Sequence, residues 1–125
     1  MIFVIDDNVE MAECIVKATG RECLMFDNAV AAMEVISGGE LPEMIFMEVR
    51  LTGPDGFTFL NEMVSYADTA KVPVVIVSGM DFHGADLGAY GVVGVLDKET
   101  MRPEDVRNYV LEYALTGVEG ELERR

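Results

Sequence analysis

Tryptophan is absent, histidine occurs once and cysteine twice in this chain of 125 residues. Cys14 and Cys23 show no CxxC spacing and have no histidine beside them, which excludes an ordinary zinc or dithiol redox site; both are expected to be packing thiols. Basic residues are also scarce. Nine Lys and Arg face twenty-three Asp and Glu, a formal net charge of −14. Such a surface repels phosphate backbones and anionic lipid, so neither nucleic acid nor membrane is an expected partner. A cation or a basic protein suits it better. No apolar run approaches the ~18 residues of a membrane span. Met1 leads directly into an apolar run and then acids, without a basic n-region, so no secretory signal is expected and the chain reads as cytoplasmic. No repeat, linker or low-complexity stretch suggests a second domain. The expected organisation is one domain over 1–117 and a frayed tail over 118–125.

What the chain does have is apolar runs that stop abruptly at polar residues. "IFVI" at 2–5 is polar on neither face, as a central parallel strand should be, and it ends in Asp6 and Asp7. A helix follows from about Val9 to Ala18, with Met11, Cys14, Ile15 and Ala18 on one face, Asn8 as its cap and Gly20 as its stop. A second strand near Glu22–Phe26 precedes a helix carrying Ala29, Ala32, Met33 and Ile36, which Gly38 and Gly39 end. "MIFM" at 44–47 ends in Glu48. A turn with Gly53, Pro54 and Gly56 leads to a helix with Leu60, Met63, Val64 and Ala67 on one face. "VVIV" at 74–77 ends in Ser78. The segment 82–91 is helix-like but loosened by Gly84 and Gly88. "VVGVL" at 92–96 ends in Asp97 and Lys98, and Pro103 opens a last helix with Val106, Tyr109, Val110, Tyr113 and Ala114 in register.

Strands alternating with helices imply an α/β fold: a doubly wound five-stranded parallel sheet of (βα)5 flavodoxin-like type, strand order 2-1-3-4-5. In such a sheet ligands bind beyond the carboxyl ends of the strands, where strand order reverses. Asp6, Asp7, Glu48, Ser78 and Lys98 should therefore share one pocket.

"VIDDN", "MIFMEVRLTGPDGFTFL", "PVVIVSGM" and "GVLDKE", in that order, resemble a response-regulator receiver domain over about residues 2–116. The resemblance implies Mg²⁺ held by Asp6 and Asp7, with the phosphoacceptor position at Glu48 and the Arg50 backbone carbonyl completing the metal shell. It implies that Ser78 senses the phosphoryl group and that Lys98 neutralises it. It also implies signalling through a histidine kinase, phosphotransfer or effector protein, as a non-enzymatic monomer or weak homodimer. The chemistry agrees, because Mg²⁺ takes hard oxygen ligands and a carboxylate nucleophile needs the incoming phosphoryl oxygens neutralised.

Three positions depart from the family pattern. Glu48 stands where the family has aspartate, which sets its carboxylate about one C–C bond farther out, ~1.5 Å. Such a group suits a phosphate-independent receiver, with Glu48 pairing to Lys98 or reaching Ser78. Glu99 replaces the usual proline after the lysine, and Val95 replaces the frequent aromatic switch residue. Tyr90 is read as a surface residue, and so is His83. The alternatives are a Mg²⁺-dependent phosphohydrolase of haloacid-dehalogenase type, which Asp6-x-Asn8 faintly echoes, and a degenerate flavodoxin-like scaffold or binder. No Gly-rich phosphate loop follows the first strand, which disfavours nucleotide or flavin.

Overall fold

Four-residue apolar stretches with no polar face can be stable only between two layers of cover, and that is where they lie. The computed structural model describes residues 1–51, 56–79 and 87–114. Five strands, β1 (Ile2–Ile5), β2 (Cys23–Phe26), β3 (Met44–Met47), β4 (Val74–Ser78) and β5 (Val92–Asp97), form one sheet in the order β2-β1-β3-β4-β5, every pair parallel. This is the expected doubly wound topology.

Alternate strand residues feed two cores. Phe3, Ile5, Ile45, Met47, Val74 and Ile76 meet α2 (Ala29–Ser37) and α3 (Gly56–Val64) on one face. Ile2, Val4, Met44, Phe46, Val75 and Val77 meet α1 (Val9–Thr19) and α4 (Pro103–Tyr109) on the other. Each fully buried side chain of this size contributes roughly 1.5–3 kcal/mol.

Local chemistry sets the ends of the helices. Asn8 Oδ1 accepts from the Met11 amide at 3.1 Å, Asn28 Oδ1 accepts from the Ala31 amide at 2.8 Å, and Gly20 stops α1 in the left-handed conformation. Asp105 accepts from the Arg102 backbone N–H at 2.8 Å, with Pro103 opening α4. After Tyr109 the helix widens into a π-turn over Val110–Ala114.

Some expectations change. Ala67 lies beyond α3, which ends at Val64. Two hydroxyls capture carbonyls of its last turns, Ser65 Oγ donating to Asn61 O at 2.7 Å and Thr69 Oγ1 to Met63 O at 2.5 Å. Tyr90 is half-buried and sits edge-on to Phe57, ring centroids 6.1 Å apart, so it is not a surface residue. Cys14 is exposed, because a groove of about 260 Å³ separates its face of α1 from the start of α4; only Cys23 is partly buried. Of the expected loosened helix, Gly88–Tyr90 forms a 3-10 turn, while His83 and Gly84 lie outside the described residues, as do Gly53, Pro54 and the tail.

Candidate functional site

Parallel pairing places the carboxyl ends of β1, β3, β4 and β5 side by side, so the polar residue ending each run arrives at one edge. The Asp6 amide donates to Phe26 O and the Glu48 amide to Ile5 O, each at 2.9 Å, while the Lys98 amide donates to Ser78 O at 3.1 Å. These ladder bonds hold the backbone of the site as rigidly as the sheet itself.

Three of the expected residues make direct contact. Lys98 Nζ lies 2.9 Å from Asp6 Oδ2 and 3.1 Å from Glu48 Oε1. Asp6 is 2% exposed and Glu48 6%, so one ammonium serves two nearly dry carboxylates. Burial by itself would make Lys98 less basic. Its contacts with Asp6 and then Glu48 outweigh that, and the ammonium is held above its ordinary pKa of 10.5.

The second oxygen of each carboxylate is tied to backbone. Asp6 Oδ1 accepts from the Asn8 amide at 2.9 Å. Glu48 Oε2 accepts from the amides of Val49 at 2.8 Å and Arg50 at 3.2 Å. The extra methylene lets the Glu48 carboxylate fold back over its own chain, so that one oxygen faces the ammonium and the other faces two N–H groups. Asp6 Oδ2, buried, is met among the described residues by the Lys98 ammonium.

Ser78 is fully buried at the end of β4, beside this cluster in the sheet. Asp7 and Arg50 are exposed at the ends of β1 and β3. Among the described residues no three His, Cys, Asp or Glu side chains converge as a metal-binding group. The donors nevertheless suit a hard cation: two carboxylates already share one, and Mg²⁺ commonly takes only one or two carboxylates plus water. As arranged, that cation is the ammonium of Lys98.

The amides of Asn8, Val49 and Arg50 were not legible as part of the site, because every residue carries such a donor. The one available signal was the length of Glu48. Val95, at the position of the missing aromatic, is 39% exposed on β5.

No protein-family model matches the chain. It is 28% identical over 123 residues to the protein-glutamate methylesterase/protein-glutamine glutaminase 2 of Burkholderia thailandensis, covering 90% of this chain and 34% of that protein. It is 29% identical over 86 residues to the response regulator PleD of Caulobacter vibrioides, covering 66% of this chain and 19% of that protein. The chain thus spans about a third or less of these relatives. Among solved structures it is similar to the receiver domain of NtrX from Brucella abortus, with a TM-score of 0.75 and 22% identity over 90% of this chain and 96% of that one. It is also similar to the Mn²⁺-bound form of response regulator Rcp1, with a TM-score of 0.70 and 19% identity over 94% of each chain. The chain thus shares its fold with these solved structures and is similar in sequence to part of a response regulator.

Proposed function

We propose that this receiver-type domain signals through protein–protein contact without needing a phosphoryl group, its acceptor position being filled by a carboxylate that already sits among the groups a phosphoryl would meet. The observation that carries this reading is the bracing of Glu48 between the Lys98 ammonium and the amides of Val49 and Arg50. A carboxylate that attacks phosphorus must turn a free oxygen toward it, and neither Glu48 oxygen is free here. Misplacing a reacting group by about an ångström costs on the order of 10²-fold in rate. The same ammonium and amides are anion-stabilising donors, and Glu48 supplies their anion from within the chain.

On this reading the chain is a signalling module rather than an enzyme. It acts in the cytoplasm on a histidine kinase, phosphotransfer or effector protein, as a monomer or weak homodimer. Among the described residues no helix is long and apolar enough to cross a membrane. Mg²⁺, when bound, would be held by Asp6 and Asp7 with Glu48 and the Arg50 carbonyl, and would supply charge neutralisation at the acceptor. Ser78 would hydrogen-bond whatever anion stands at the acceptor position. The phosphohydrolase alternative needs a second acid where Asn8 stands, and the Asn8 side chain caps α1 instead.

The test is incubation of the native protein and Glu48→Asp with acetyl phosphate and Mg²⁺, followed by intact mass. The native chain is expected to stay unmodified while the variant gains one phosphoryl group. Phosphorylation of the native chain on Glu48 at a rate comparable to the variant would overturn the reading.

A further inference from the structure

Two successive N–H groups can aim at one oxygen only where the chain bends, and it bends at Val49 and Arg50 as it leaves β3. Their amides reach Glu48 Oε2 at 2.8 and 3.2 Å. On its upstream side this bend is anchored by the sheet, through the Glu48 amide on Ile5 O at 2.9 Å. On its downstream side the anchor is the first residue of α3: the Gly56 amide donates to Val49 O at 2.8 Å.

The Val49 carbonyl and the Arg50 N–H belong to one planar trans peptide unit and point in opposite directions from it. Gly56 therefore grips one side of that plane while Glu48 Oε2 receives the other. The approach that makes this grip possible excludes a side chain. A Cβ at position 56 would stand 2.5 Å from Val49 Cα, 3.0 Å from Val49 Cβ and 3.1 Å from Met47 Cε. Met47 Cε ends a flexible side chain and can turn aside. Val49 Cα cannot, since it is main chain and its own side chain is 2% exposed in the core beneath α3. Any side chain at 56 must lengthen the bond to Val49 O and tilt the plane that carries the Arg50 N–H.

We propose that Gly56 is a positioning residue for Glu48, acting through the Val49–Arg50 peptide so that the start of α3 and the carboxylate at the acceptor position move together. This deepens the reading of Glu48 as the domain's own anion and rests on it. Its readouts involve no phosphate, so phosphorylation of native Glu48 would sink that reading, whereas an Arg50 amide indifferent to position 56 sinks this one.

The test follows the ¹⁵N-labelled intact chain by amide resonances and hydrogen exchange. Glu48→Ala removes the acceptor and gives the direction in which the Arg50 amide proton moves when its bond is lost. Gly56→Ala should move it the same way and speed its exchange about tenfold relative to the Glu48 amide, the order of one lost hydrogen bond to a charged group. Met63→Ala, which removes a buried side chain near the other end of α3, is the control for a helix merely loosened, and it should leave the Arg50 amide in place. An Arg50 amide unmoved by Gly56→Ala, or moved as far by Met63→Ala, overturns the assignment. The coupling is also read in reverse, which decides the matter if Gly56→Ala does not fold. In Glu48→Ala the Gly56 amide should shift more than that of Met63, and an equal or smaller shift overturns the proposal.

Discussion

Lys98 is the residue on which the site's charge balance turns. Two carboxylates with side-chain exposures of 1% and 8% share its ammonium. Removing one member of a buried ion pair typically costs roughly 3–5 kcal/mol, because the charge left behind has neither water nor partner. Lys98→Met should therefore lower the unfolding free energy obtained from urea titration by an amount in that range, and a neutral effect would mean that water already screens the cluster. The pH dependence has a definite sign. The folded pKa of Lys98 is raised above its ordinary 10.5, so its contribution is complete below 10.5 and is lost as pH climbs through the higher folded value. Burial raises Tyr109 above 10.0 as well, and its loss runs in the same direction. The diagnostic quantity is thus the stability difference between the native chain and Lys98→Met, which should shrink only above pH 10.5.

Between elements, two glycines show how closely the parts approach. A Cβ on Gly56 would stand 2.5 Å from Val49 Cα, where α3 starts against the backbone leaving β3. Gly94 faces the phenol of Tyr109, at a point where β5 shifts register against β4, Val74 pairing with Val92 but Val75 with Gly94. That extra residue bends the strand under the ring. Tyr109 in turn stacks on Tyr113, centroids 6.3 Å apart, across the junction from α4 into the π-turn. Gly94→Ala is expected to displace the ring, cost roughly 1–3 kcal/mol by overpacking, and diminish the near-ultraviolet circular dichroism of the tyrosines. Tyr109→Leu in that background should recover most of the loss, since the clash is with the phenol end. Gly56→Ala has no such remedy, because its obstacle is backbone. The sequence could announce the elements but not these approaches. Uninterrupted apolar runs named the strands because both faces are covered, and Asn8, Asn28 and Gly20 marked helix ends through side-chain and backbone chemistry that acts locally. Ala67 fell outside its helix because the deciding hydroxyl, Thr69, comes later in the chain and reaches back. Cys14 keeps the spacing of a core residue but faces a groove that α4 leaves open.

For the molecule as a whole, net charge sets the conditions under which the fold holds. A chain of −14 repels itself, and that repulsion is screened within a Debye length, ~30 Å at 0.01 M salt and ~8 Å at 0.15 M. Raising sodium chloride across that range should raise the melting temperature; a flat response would mean that the excess acids stand too far apart to repel one another strongly. The topology and the gathering of Asp6, Glu48, Ser78 and Lys98 at one edge were legible because strand order and strand ends follow from alternation and the abrupt polar stops. The orientation of Glu48 was legible only in part: its pairing with Lys98 was expected, but the turn of its second oxygen onto the amides of Val49 and Arg50 was not, because amides carry no sequence mark. That orientation has a consequence in time. An acyl phosphate is cut by water, so a domain that depends on one carries its own clock. The carboxylate of Glu48 hangs on carbon–carbon bonds that water leaves alone, and nothing resets it. On the proposed reading, the output then follows how much of the protein is made and how soon it is degraded, as a dose rather than a pulse.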